Sequence, residues 1–313
     1  MAVATRPVTK PITAMTEAEH AALVARTKRR RAIESLLIDK IASYAFLFVL
    51  LIFALAPFVW MFSTSIKRPQ EQFVRIPRWI PQQPTFEAYR VLIDSKAANN
   101  NNFPLYFWNS MVVSTLSTVI AVILAVTAAY AFSRFEFPGK QVMFFGVLGR
   151  NMLPLVAFLV PLFQLMATLN LQNNYLGLVL AYLTSSLPLA IWLLKGFFDS
   201  IPNELEKAAR IDGCTRFQAF REIILPLTLP GIAAASIYCF ISAWNEYIFA
   251  VTLTSDPGLR TLQVGQTFFL SENNSNWAAL MAVSLAVSVP VVVLFLMVQR
   301  FFVQALTAGA VKG

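Results

Sequence analysis

Two ionisable side chains stand inside long apolar stretches of this sequence: Arg150, beside Asn151, and Glu246, after Asn245. A charge at the middle of a bilayer costs roughly 2.5–3.5 kcal/mol on insertion scales, so such groups face protein or a water-filled cavity and mark routes for solutes or ions. Whether the two pair is a question of depth. Counted from the same membrane face along unbroken helices at about 1.5 Å per residue, Arg150 lies about 12 Å in and Glu246 about 24 Å in. The remaining offset of about 12 Å is too great for an ion pair unless a helix is broken. Separate roles are expected.

Other chemistry is sparse. Cys214 and Cys239 sit in no CxxC or Cys/His cluster and read as isolated packing residues, and His20 lies in a polar stretch with no nucleophile beside it. No metal site is expected. The phosphate-cradling pattern GxxxxGK[ST] is absent; Gly139-Lys140 comes nearest, but Gln141 follows and no glycine stands five residues before Gly139. HExxH, GxSxG and paired carboxylates within one apolar stretch are also missing. The sequence therefore predicts no catalytic residue, no cofactor and no engine of its own.

What must position Arg150 and Glu246 is a membrane. Hydrophobic residues make up 57% of the 313 and charged residues only 13%, against about 25% charged in ordinary soluble domains. Six windows reach the length of about 20 apolar residues that spans a bilayer as a helix. They cover about 41–62, 108–132, 142–167, 175–194, 230–253 and 277–298. The first is too long, and too far from the N-terminus, for a cleavable signal peptide. With the N-terminus in the cytoplasm, most of the 25 lysines and arginines fall on the inner side, as the positive-inside rule requires. Both termini are expected inside.

The net charge of +9 is thus a matter of topology rather than nucleic-acid binding. Lys28-Arg29-Arg30-Arg31 reads as an anchor ahead of the first span, attracted to anionic membrane lipid. Four regions are expected: a partly disordered cytoplasmic tail over 1–40, the first span and an outer loop over 41–107, a membrane core over 108–298, and a cytoplasmic tail over 299–313. The outer loop holds Pro69, Pro77, Pro81 and Pro84 and then the run Asn99 to Asn102, the composition of irregular surface chain. No internal repeat is visible.

The segment 200–226, between the fourth and fifth windows, is the most legible. Pro202 fits a first helical turn, where its missing N–H is not needed, and Glu204 and Glu206 suit the positive end of that helix. Leu205, Ala208, Ala209 and Asp212 follow at helical spacing, and Gly213 supplies a left-handed stop. Thr215 with Gln218 forms a capping box opening a second helix, with Phe217, Phe220, Ile223 and Ile224 as its apolar stripe and Leu225-Pro226 as its end. A DNA-binding helix-turn-helix is excluded by the spans a few residues away on either side.

This segment resembles the EAA loop of binding-protein-dependent ABC permeases, from Glu206 to Gly213 and then Ile224-Leu225-Pro226. Residues 128–140 (AAYAFSRFEFPGK) look like the signature after the second span of maltose-type sugar permeases. Residues 151–154 (NMLP), 244–247 (WNEY) and 306–313 (LTAGAVKG) are similar to the MalG-like half of those permeases. The likeness runs from about residue 41 to the end. It departs at Lys207, which stands where the EAA triplet usually has its glutamate, with Glu206 just before.

The resemblance implies an all-α integral membrane protein of six transmembrane helices, with a cytoplasmic EAA coupling loop between spans 4 and 5. It implies a permease subunit of an ATP-driven sugar importer in the bacterial inner membrane. Its partners would be a second, MalF-like permease, two copies of a cytoplasmic ABC ATPase and an extracytoplasmic sugar-binding protein. Glu204, Glu206, Lys207, Ala208, Ala209, Asp212 and Gly213 would form the knob that docks into the ATPase, Glu206 supplying the anionic contact and Lys207 facing water or lipid phosphates. Trp244, Asn245, Glu246 and Tyr247 are candidates for lining the pathway, since aromatic faces suit sugar rings and polar tips suit hydroxyls. Glu246 could instead cap or pin neighbouring helices. The rival reading, an ion-coupled secondary transporter with Glu246 as its proton-linked carboxylate, would call for inverted repeats.

Overall fold

The computed structural model describes residues 17–72, 74–94, 102–269 and 276–310, with side chains between 39 and 299 of those ranges. Most of the tail read as disordered, the run 99–101 and the last three residues of the C-terminal motif lie outside the described residues. Residues up to Trp60 form one compact unit and those from Met61 onward another.

The first unit consists of most of helix α1 (Glu17–Ser65), which has begun well before the first apolar window and carries Lys28–Arg31 within it. Its apolar residues from Ile41 to Phe53 are exposed in this chain, as lipid-facing side chains are. In the second unit come a short turn of helix, α2 (Pro69–Gln72), and then α3 (Phe103–Arg134), α4 (Lys140–Gly149), α5 (Leu155–Thr168), α6 (Tyr175–Ser200), α7 (Asn203–Ile211), α8 (Arg216–Ala219), α9 (Leu225–Leu227), α10 (Leu229–Trp244), α11 (Ile248–Leu253), α12 (Leu262–Gln266) and α13 (Trp277–Ala310). The described residues are helices and connecting turns.

Local chemistry sets the ends. The Asn102 side chain accepts the Leu105 N–H ahead of α3, and Asn174 accepts the Leu176 N–H ahead of α6, each replacing a partner that a helix start lacks. Between α5 and α6 the chain reverses through Asn170 and Asn173 at φ of 54° and 49°, a left-handed conformation asparagine tolerates better than most residues. Gly177 then passes so close to the Leu171 carbonyl that a β-carbon there would collide with it.

Among the described residues, four helices are long and apolar enough to cross a membrane, or six if each of two bent pairs counts as one span. The bends modify the sequence reading. The third window is two helices meeting at 104°, because Pro154 cannot donate to the ladder and holds its own backbone extended at the N-cap of α5. The fifth window ends at Trp244 and resumes at Ile248.

Helix α3 lies at the centre and packs on both α6 and α10. Ala121, Ala125 and Ala129, spaced by four, are fully buried; small residues on one helical face let backbones approach where no hydrophobic effect drives helices together. A second cluster joins Phe240 and Trp244 of α10 to Phe103 and Tyr106 of α3 and to Ala279 and Val283 of α13. Near one end of α3, Asn109 is fully buried and fully used. Its amide donates to the carbonyls of Gly258 and Arg260, both at 2.9 Å, and its oxygen accepts the Tyr175 hydroxyl at 2.6 Å.

Asn109→Leu keeps the volume and removes the partner of those three groups, a loss of about 1–3 kcal/mol for a polar group left buried without one. The thermal midpoint in detergent should fall accordingly. An unchanged midpoint would show that Asn109 does not hold the 258–260 segment.

Candidate functional site

The segment after α6 folds as two short helices around a fixed corner. Pro202 is the N-cap of α7, and Gly213 stands at φ +94°, the left-handed conformation expected of it. Nothing lies within 4 Å of where its β-carbon would be, so any side chain there is penalised by the backbone and not by crowding. Thr215 and Gln218 form the expected capping box, the Gln218 N–H donating to Thr215 Oγ1 at 3.3 Å and the Thr215 N–H to Gln218 Oε1 at 2.7 Å. The second helix does not stop at Leu225-Pro226. It passes from α8 through a π-turn at Phe220–Ile224 into α9, where Pro226 occupies a first turn, and then bends by 72° into α10.

The side chains of α7 divide cleanly. Lys207, Ala208, Glu204 and Asp212 are exposed, and so are Leu205 (41%), Ile211 (85%) and, on α8, Phe217 (68%). Ala209 is buried against the core. Glu206 also turns inward, contrary to the expectation that it faces a partner. Its carboxylate accepts the Tyr130 hydroxyl at 3.0 Å and lies 3.6 Å from Arg134 Nε, with only 12% and 7% of the two charged side chains exposed. The same guanidinium donates to the Ile201 carbonyl at 2.8 Å and to the Asn203 side chain. Around this pin Tyr130 packs against Phe220, Phe198 and Phe135, and Arg216 covers the Phe135 ring. Position 206 faces inward because it shares a helical face with Ala209, while 207 and 211 share the opposite one.

The second candidate group lies where the fifth window breaks. Trp244 does not line a pathway in this conformation: it is 1% exposed, stacks on Phe240, and donates its indole N–H to the Val287 carbonyl at 3.1 Å. Asn245 is exposed, and its amide donates back to the Ile241 carbonyl. Glu246 satisfies the first turn of α11 by accepting the Phe249 N–H at 2.9 Å. Tyr247 joins Gln263, Gln266, Thr267 and Leu280 around a cavity of about 190 Å³. Those glutamines were not singled out in the sequence, although their spacing of three on α12 is a polar helical face within an apolar region.

Arg150 lies at the break between α4 and α5. It donates to Thr184 Oγ1 and Ser185 Oγ, both at 3.2 Å, and stacks on Phe158 at 4.9 Å. No ion pair joins it to Glu246 among the described residues. Both helices are interrupted at these residues, so depths counted along continuous helices do not apply to them.

Apolar helices broken at ionisable residues, with a capped two-helix projection on one connecting loop, define a polytopic membrane protein of the transport class. The profile of the binding-protein-dependent transport system inner membrane component family matches residues 117–307, and the chain belongs to that family. It is 37% identical over 265 residues to the sulfoquinovosyl glycerol transport system permease protein SmoH of Agrobacterium fabrum, covering 85% of this chain and 91% of that one. It is 36% identical over 264 residues to the trehalose/maltose transport system permease protein MalG of Thermococcus litoralis, covering 84% and 93%. A crystal structure of a bacterial ABC transporter involved in the import of the acidic polysaccharide alginate aligns with a TM-score of 0.69 at 26% identity, over 85% of this chain and 96% of that one. The chain is a permease component of an ABC importer and not an enzyme, ATP hydrolysis belonging to a separate subunit. Ion-coupled secondary transport finds no support in these likenesses.

Glu246→Ala leaves the first turn of α11 without its acceptor, a loss of about 0.5–2 kcal/mol on the scale of helix caps. Glu246→Gln keeps an acceptor and should leave stability near that of the parent. If both substitutions lower the thermal midpoint equally, the carboxylate's charge, and not its capping bond, is what holds α11.

Proposed function

We propose that this chain is one of two permease subunits of an ATP-driven, binding-protein-dependent sugar importer, and that α7 and α8 form the surface on which a cytoplasmic ATPase docks. The observation that carries the docking assignment is the crown of Leu205, Ile211 and Phe217 on a capped and pinned knob. Large apolar side chains held out from a rigid base mark a protein–protein contact. The sugar assignment is supported by the relatives whose names give sulfoquinovosyl glycerol and trehalose/maltose as solutes.

In this reading both termini are cytoplasmic, with 1–40 and 299–313 as inner tails, 41–107 as first span and outer loop, and 108–298 as the permease core. A MalF-like second permease completes the pathway, two ATPase copies sit beneath, and an extracytoplasmic binding protein delivers the solute. Glu204, Lys207, Ala208, Asp212 and Gly213 belong to the docking knob. Ala209 and Glu206 seat it from within, so the ATPase meets Lys207 and not Glu206 at that turn. Asn245 and Tyr247 serve the pathway, with Tyr247 at the cavity, and Glu246 holds α11 beside them. Trp244 supports them from the core.

Two measurements test this. An impermeant thiol reagent should miss Cys214 in intact cells and reach it in inverted vesicles; labelling in intact cells would reverse the orientation and end the docking assignment. In the assembled complex, Ile211→Glu should weaken ATPase capture roughly ten-fold or more, as loss of an apolar anchor does. Lys207→Glu should change chiefly its salt dependence, and Gly213→Val should disrupt capture by moving the corner without preventing membrane insertion. Normal capture by Ile211→Glu and Gly213→Val together would place the ATPase contact elsewhere.

A further inference from the structure

Among the described residues, α3 is the one candidate span with neither an internal proline nor a break. Proline lies within α1 (Pro57), α5 (Pro161), α6 (Pro188) and α13 (Pro290), the third window bends by 104°, and the fifth is interrupted between Trp244 and Ile248 after a 72° bend where α9 meets α10. Proline removes a ladder bond and kinks a helix. Helix α3 runs 32 residues, about 48 Å at 1.5 Å per residue, and its one proline, Pro104, stands in the first turn, where no ladder bond is lost.

Both ends of this rod are attached by directional bonds. At one end Arg134 and Tyr130 hold Glu206 of α7, and the Arg134 guanidinium also grips the Ile201 carbonyl and Asn203. At the other, Asn109 holds the carbonyls of Gly258 and Arg260, and Ser110 Oγ accepts the Leu262 N–H at 2.7 Å. Leu262 begins α12, and α12 also lies directly on α3: a β-carbon on Gly265 would run into the Tyr106 ring. Also on α12, Gln263 and Gln266 line the Tyr247 cavity.

We propose that α3 is a transmission rod, fixed to the docking knob by Arg134, Tyr130 and Glu206 and to the cavity wall by Asn109 and Ser110, so that displacement of α7 moves α12. The two attachments are about 38 Å apart along the helix. A helix of that length with intact hydrogen bonds passes on a push or tilt that a kinked one would absorb at its kink. Arg134, Tyr130 and Glu206 are positioning residues: they touch no solute and act through α3. This inference rests on the reading of α7 as the ATPase contact.

The test uses the whole complex (both permeases, the ATPase and the binding protein) in lipid vesicles, with Gln266→Cys as a reporter on a background lacking Cys214 and Cys239. In the parent, adding ATP should change the labelling rate at position 266 and uptake should track ATP turnover. In Arg134→Ala that change should vanish and uptake per ATP, measured on the complexes that retain the ATPase, should fall roughly ten-fold, a coupling loss of ordinary size. A nucleotide-driven change at 266 that survives Arg134→Ala overturns the rod. Should Arg134→Ala fail to assemble, Tyr130→Phe decides, since it keeps the ring packing and removes one bond to Glu206; coupling at the parent's level there overturns the proposal. Failure of the docking reading looks different, because Ile211→Glu and Gly213→Val would then capture the ATPase as the parent does, whatever the response at 266.

Discussion

One guanidinium, that of Arg134, decides where the two-helix knob after α6 stands. It reaches a carboxylate 72 residues later in the chain, a main-chain carbonyl at Ile201 and a side-chain amide at Asn203. A planar fork with five donors satisfies several acceptors from one side chain, as the point charge of a lysine cannot. Because both charges are almost fully covered, removing either would leave the other stranded, a loss of about 3–5 kcal/mol where such pairs are broken. The inward turn of Glu206, the burial of Ala209 and the outward set of Lys207, Leu205 and Ile211 follow from that bond, since the period of a helix fixes every other side chain once one is tied.

Much of this architecture was legible in the chain. Pro202, Gly213, Thr215 and Gln218 act locally, through a missing N–H, a positive φ and a reciprocal cap, and each does in the structure what its type predicts. The apolar windows located the spans for the same reason: lipid solvation depends on composition. What could not be read was direction. Glu206 and Lys207 are neighbours in a polar helix, and the group that separates them, Arg134, lies in another span. Trp244 and Tyr247 are both aromatic residues next to a break, and only the packing of Phe240 and Val287 sends the first into the core. The breaks themselves were signalled, by Pro154 after Asn151 and by Asn245-Glu246, but averaging hydropathy over some twenty residues smooths such signals away.

The breaks also explain how a bilayer tolerates Arg150 and Glu246. At an interrupted helix the backbone has unpaired groups of its own, and such chain is stable at depth only when buried in protein or beside water. Glu246 supplies an acceptor to the Phe249 amide, and Arg150 finds two hydroxyls and an aromatic face. Each charge is thus placed where the backbone already required polar company. A permease that draws its energy from a partner needs no buried carboxylate to carry protons, and here the carboxylate is occupied with structure.

The length of α3 has a consequence for the membrane itself. At about 48 Å it exceeds the roughly 30 Å hydrocarbon core by some 18 Å, so it must tilt or protrude, and its Arg134 end belongs to the headgroup zone. A thicker bilayer draws that end toward hydrocarbon, where attraction between Arg134 and Glu206 strengthens but the cost of keeping both ionised rises faster. A thinner one lets water compete for the same pair. Hydrophobic mismatch therefore acts on this protein through a single ionic contact, and lipid composition becomes one of the variables that set how firmly the knob is held.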